Sequence, residues 1–74
     1  IGPETADSML LYAWKQPVMV IDAYTRRVFE AEGIEQSRIK YEDLRLWCEA
    51  QLPQDYKILQ EFHALLVQAG KVLS

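Results

Sequence analysis

Three prolines, Pro3, Pro17 and Pro53, set the limits on what this chain can fold into. Proline starts a helix well, because the first turn has no use for its missing N–H, and it ends or kinks a helix anywhere further in. Pro3 therefore opens a helix that runs to about Lys15, and Pro17 stops it. Beyond it, Val18-Met19-Val20-Ile21 has the composition of a strand, yet no other segment offers a second strand to pair with it. A buried extended link is the reading that remains. Asp22 stands where an N-cap belongs, and the helix it opens reaches about Glu32, with Gly33 as its stop. A polar loop, residues 34–40, leads to a third helix over about Tyr41–Leu52, with Leu44 and Cys48 on one side. Past Pro53, Asp55 caps a last helix on which Tyr56, Leu59, Phe62, Leu66 and Leu73 recur at helical spacing. Gly70 costs that helix about 1 kcal/mol against Ala, so it marks the helix end or a close backbone approach. The expected class is all-α, with four helices.

Seventy-four residues make one small domain at most, and half of them are apolar. The first helix is apolar nearly all round: Ala6, Met9, Leu10 and Ala13 share one face, while Leu11, Tyr12 and Trp14 cover much of the rest. Such a helix is normally buried on every side. Three companions could hardly cover it, which leads us to expect a piece of a larger protein that self-associates or swaps domains when isolated. No apolar run approaches the ~20 residues that cross a bilayer, so no membrane role is expected. The single cysteine, Cys48, excludes an internal disulfide and any cysteine-rich metal site, and it reads as a small buried hydrophobe. Nothing resembles a secretory signal, which makes a cytoplasmic location the expectation.

Eight basic residues meet eleven acidic ones, and the deficit lies wholly in the half up to Ser37. No basic stripe marks an electrostatic binder of nucleic acid, so a role on DNA would have to come from a motif. Two segments offer one. Gly2 just ahead of the first helix leaves consecutive backbone N–H groups, those of Glu4 and Thr5 among them, available to an anion such as a phosphate. Asp22 follows a rigid apolar link and sits at a helix start, where a carboxylate is fixed in place. That suits a group meant to stabilise a developing positive charge. Taken alone, each segment is better explained as an ordinary cap. His63 has no second ligand at useful spacing and reads as a packed histidine.

Taken in order, Gly2-Pro3-Glu4-Thr5-Ala6-Asp7, the apolar helix Ser8–Ala13 and Pro17–Arg27 resemble the endonuclease III superfamily of DNA glycosylases. The hallmark of that family is a helix-hairpin-helix followed by a Gly/Pro-rich stretch and an Asp. Phe62–Val67 and Gly70-Lys71 are similar to the helix that precedes the family's iron–sulfur segment. The resemblance spans nearly all of residues 1–74, from the second hairpin helix onward, and is looser over 34–59. It implies an all-α portion of the glycosylase fold, without the first hairpin helix. It also implies base-excision repair of double-stranded DNA carrying a damaged base, and hence the nucleoid of a bacterium or archaeon. The family Asp matches Asp22, the catalytic carboxylate. Gly2, Glu4 and Thr5 match the segment that holds the DNA backbone through main-chain amides, while Tyr24, Arg27 and Lys71 become candidates for pocket or phosphate contacts. Tyr24 stands out among the aromatics because it lies beside Asp22.

Two departures from the family refine this picture. Glu4 stands where bifunctional members carry the Lys that forms a Schiff base, and a carboxylate cannot form that imine. Ser74 stands at the position of the first cluster cysteine, which implies no iron–sulfur cluster in this chain. Both traits are shared by alkylpurine-specific relatives. The resemblance therefore implies a monofunctional glycosylase with a tilt toward alkylated purines. The alternatives are a non-catalytic helix-hairpin-helix module, a bifunctional enzyme drawing its Lys from elsewhere, and a small helical interaction domain.

Overall fold

A computed structural model describes residues 2–73 as four helices: α1 (Pro3–Tyr12), α2 (Ala23–Ala31), α3 (Tyr41–Glu49) and α4 (Tyr56–Val72). One 3₁₀ turn, Glu35–Arg38, interrupts the polar loop, and there is no strand among the described residues. Asp55 caps α4 by accepting the Lys57 N–H at 2.9 Å, as its position predicts.

The extended link is the centre of the molecule. Met19, Val20 and Ile21 are buried, together with Leu11, Phe29, Leu44, Cys48, Leu59 and Leu66. An unpaired strand in a core leaves amides that must find partners, and here side chains supply them. Glu49 Oε2 accepts the Met19 N–H at 2.9 Å, and the Tyr41 hydroxyl accepts the Ile21 N–H at 3.4 Å. Both acceptors are themselves held. Arg45 Nη1 donates to Glu49 Oε2 at 2.8 Å, and the Tyr41 O–H donates to Asp7 Oδ2 at 3.0 Å. Arg45 thus sits among Asp7, Glu42 and Glu49, tying α1 and α3 to the two ends of the link.

Burial pushes the Tyr41 phenol well above its usual range; the hydrogen bond from Ile21 opposes this, and Asp7 and Glu4 reinforce it. A raised phenol favours the folded state below the ordinary tyrosine value of about 10, and that contribution is lost as pH rises beyond it. Thermal melts above pH 10 should therefore show stability falling with pH, and Tyr41→Phe should flatten part of that slope. An unchanged slope would mean that the phenol is not held in the core network.

One expectation for α1 is corrected. The helix stops at Tyr12, short of Lys15, because Lys15 adopts a left-handed φ of 56° and the Gln16 N–H closes back on the Leu10 carbonyl at 2.9 Å. The three companion helices cover only one side of α1. Only Leu11 is buried; Ala6, Met9, Leu10 and Ala13 are exposed, as are Tyr12 and Trp14. Asp7, one turn before Leu11, points inward to Tyr41 and Arg45, and that polar anchorage decides which side of α1 faces the link. At the other ends, α3 stops at Glu49 rather than Leu52, and α4 runs through Gly70 to Val72. A left-handed lysine costs about 1 kcal/mol relative to glycine. Lys15→Gly should therefore raise the denaturant midpoint by a corresponding amount, and a lower midpoint would show that the side chain has a packing role.

Candidate functional site

Asp22 is the residue that the fold places with most care. The link before it is buried and pinned through Ile21, and α2 begins immediately after it. Its Oδ1 accepts both the Thr25 N–H at 2.8 Å and the Thr25 hydroxyl at 3.0 Å. Thr25 is itself fully buried, so Oδ1 is committed to the cap. Oδ2 turns the other way, toward α4, where His63 Nε2 lies 3.7 Å off. With 13% of its side chain exposed, Asp22 is sheltered yet reachable. Such an arrangement offers one immobilised carboxylate oxygen at a helix N-terminus, suited to facing a cation.

The other candidates divide by element. Gly2 is the N-cap of α1 in extended conformation, with its carbonyl accepting the Ala6 N–H at 3.1 Å. The amides of Glu4 and Thr5 come before that first helical bond, and both residues are exposed. Tyr24 packs on the seam between α2 and α4, where the Arg27 guanidinium lies 5.3 Å from its ring centroid. Arg27 also donates from Nη1 to the Gly70 carbonyl at 3.1 Å, so it ties α2 to the end of α4. Lys71 is exposed in the last turn of α4, and Ser74 lies outside the described residues. The structure thus brings Asp22, Tyr24 and Arg27 together on the first half of α2, facing α4. Gly2, Glu4 and Thr5 belong to a separate helix end.

Sequence reasoning missed the second-rank residues that hold this site. Glu49, Tyr41 and Arg45 carry the link, and Arg26 staples α2 to the following loop by donating to the carbonyls of Ser37 (3.0 Å) and Ile39 (2.8 Å). His63, read as a packed histidine, is packed indeed, but it packs against Asp22. Cys48 is buried, and burial, with Glu49 nearby, pushes its thiol up to about 11, which fits an unreactive core residue. Among the described residues no group of side chains could hold a metal ion, and no helix is long and apolar enough to cross a membrane.

Over 71 residues, 96% of its length, the chain is 44% identical to a protein of Methanocaldococcus jannaschii named "Putative DNA repair glycosylase MJ1434". The chain spans 32% of that relative. No family model matches the chain, and no solved structure matches it significantly.

Proposed function

We propose that this chain forms part of a DNA base-excision glycosylase of the endonuclease III type, with Asp22 as the catalytic carboxylate. The observation that carries the reading is the split setting of that side chain: Oδ1 is consumed by the cap, while Oδ2 takes no part in it and turns toward His63 on α4. Similarity to a relative named as a DNA repair glycosylase supports it. The damaged nucleotide is rotated out of the duplex, since its glycosidic bond is inaccessible within the stack. The C1′–N bond then breaks, the base departs with the electron pair, and the sugar gains oxocarbenium character. Asp22 stabilises that cation, water attacks C1′, and the proton released passes to the carboxylate or to solvent.

Glu4 at the position of the lyase lysine favours a monofunctional course with water as the nucleophile. Alkylated purines suit such a site. Those alkylated at N3 or N7 already carry positive charge and leave as neutral bases, so the reaction asks chiefly for a carboxylate opposite the sugar. The amides of Gly2, Glu4 and Thr5 would hold a backbone phosphate, which reconciles duplex binding with a net charge of −3.

The test is a panel of duplexes bearing uracil, an oxidised pyrimidine or an alkylated purine, incubated with the protein at its full natural length. Base loss is scored separately from strand nicking. We expect base loss without nicking, on the alkylated purine. Nicking that borohydride traps as a covalent adduct would overturn the monofunctional mechanism. Duplex binding with no base loss on any lesion would favour a non-catalytic DNA-binding module.

A further inference from the structure

His63 comes from α4, forty-one residues beyond Asp22, and its surroundings are specific. Its Nε2 faces Asp22 Oδ2 across 3.7 Å, and its side chain is 15% exposed. The Tyr12 ring meets it edge-on, with centroids 5.9 Å apart and planes at 65°. Tyr12 is fixed in turn, because its hydroxyl donates to the Gln60 carbonyl at 3.5 Å and Gln60 Nε2 donates to the Leu11 carbonyl at 3.0 Å. Burial, with Asp22 contributing, pushes the Tyr12 phenol above its usual range. The imidazole is therefore wedged between α1 and the start of α2, with little freedom to turn away. Its other nitrogen, Nδ1, is buried and meets no hydrogen-bond partner.

These contacts favour one tautomer. With hydrogen on Nε2, the ring offers a donor to Oδ2 and leaves Nδ1 as a bare lone pair. With hydrogen on Nδ1, a buried N–H would be stranded and two lone pairs would face each other across 3.7 Å. We propose that His63 is a positioning residue for Asp22: as the Nε2–H tautomer it aims Oδ2 at the reacting sugar without neutralising the carboxylate. The inference rests on the reading of Asp22 as the catalytic carboxylate. A separation of 3.7 Å is longer than a hydrogen bond, so the proposal requires this contact to tighten in the substrate complex, as catalytic hydrogen bonds often do.

Two measurements test it. In single-turnover base release by the full-length protein, His63→Phe keeps the ring's bulk and removes the donor. We expect a rate about ten- to a hundredfold lower, the worth of a hydrogen bond to a charged group, with duplex affinity within about twofold of wild type. His63→Gln, whose amide nitrogen reaches a similar place, should recover most of the rate. Wild-type rates in the Phe variant, or equal losses in both variants, would overturn the proposal. The second measurement needs neither activity nor a variant at His63. The ¹⁵N shifts of the imidazole at mildly alkaline pH should show hydrogen on Nε2, and Asp22→Asn, which turns an amide NH₂ toward Nε2, should weaken that bias. Hydrogen on Nδ1 in the wild type would overturn the proposal. The Nε2–H signature on a protein that releases no base from any lesion would leave the pairing standing while the glycosylase reading falls.

Discussion

Asp22→Asn should lower single-turnover base release by about 10²–10⁴-fold, the range seen when a positioned charge or general base is removed, while leaving duplex binding and folding nearly unchanged. The substitution separates the two jobs of this side chain. Asparagine ranks with aspartate as an N-cap, and its carbonyl oxygen can still accept the Thr25 N–H and hydroxyl that Oδ1 accepts now. The capped start of α2 should survive, so the melting temperature should move by no more than a few degrees. Only the charge of the outer oxygen is lost, replaced by a neutral amide facing His63. That amide cannot stabilise an oxocarbenium and cannot take a proton from water. Base release at the wild-type rate would remove Asp22 from the chemistry and reduce it to a cap. A large loss of stability together with activity would mean that the geometry of the cap, rather than the charge, is what the site requires.

How much of this was legible beforehand depends on the distance over which each residue finds its partner. Asp22 and Asp55 could be read as caps because a cap is a contact within three residues. The link at Val18–Ile21 was legible by elimination, as an apolar run without a strand to join. The partners of its amides were not, since Glu49 lies thirty residues from Met19 and Tyr41 twenty from Ile21. No spacing rule connects such pairs. The buried side of α1 could not be chosen beforehand for a related reason. Apolar residues surround that helix, so hydrophobicity could not choose a face, and the choice fell to Asp7 through Tyr41 and Arg45 on another helix. The end of α1 was misplaced because its left-handed residue is Lys15, where a glycine would have announced the turn. Within the candidate site, the cap at Asp22 was legible from its local setting and its catalytic role only through the family resemblance, while the partnership with His63 exists only once α4 folds back onto α2.

Gly70→Ala should destabilise the protein by about 2–3 kcal/mol, although helix propensity alone predicts a gain of about 1 kcal/mol from the same change. The sign is decided by what a Cβ at this position would meet. It would lie 2.6 Å from Tyr24 Cβ and 2.9 Å from Tyr24 Cα, closer than carbon atoms approach. Neither atom belongs to a flexible side-chain end, so relief requires α2 as a body to move off α4. Arg27 is bound to the Gly70 carbonyl from the same side of α2 and would be displaced with it. A fall in the denaturant midpoint at constant m would register the loss. Tyr24→Ala in the same background should restore little of it, because the Cα and Cβ that collide remain in alanine. Substantial rescue by Tyr24→Ala would instead place the conflict in the aromatic ring. Since Tyr24 is two residues from Asp22, a shifted α2 also moves the carboxylate away from His63. Base release should therefore fall further in Gly70→Ala than the folded fraction accounts for, whereas an activity that tracks the folded fraction alone would mean that α2 yields only at its far end.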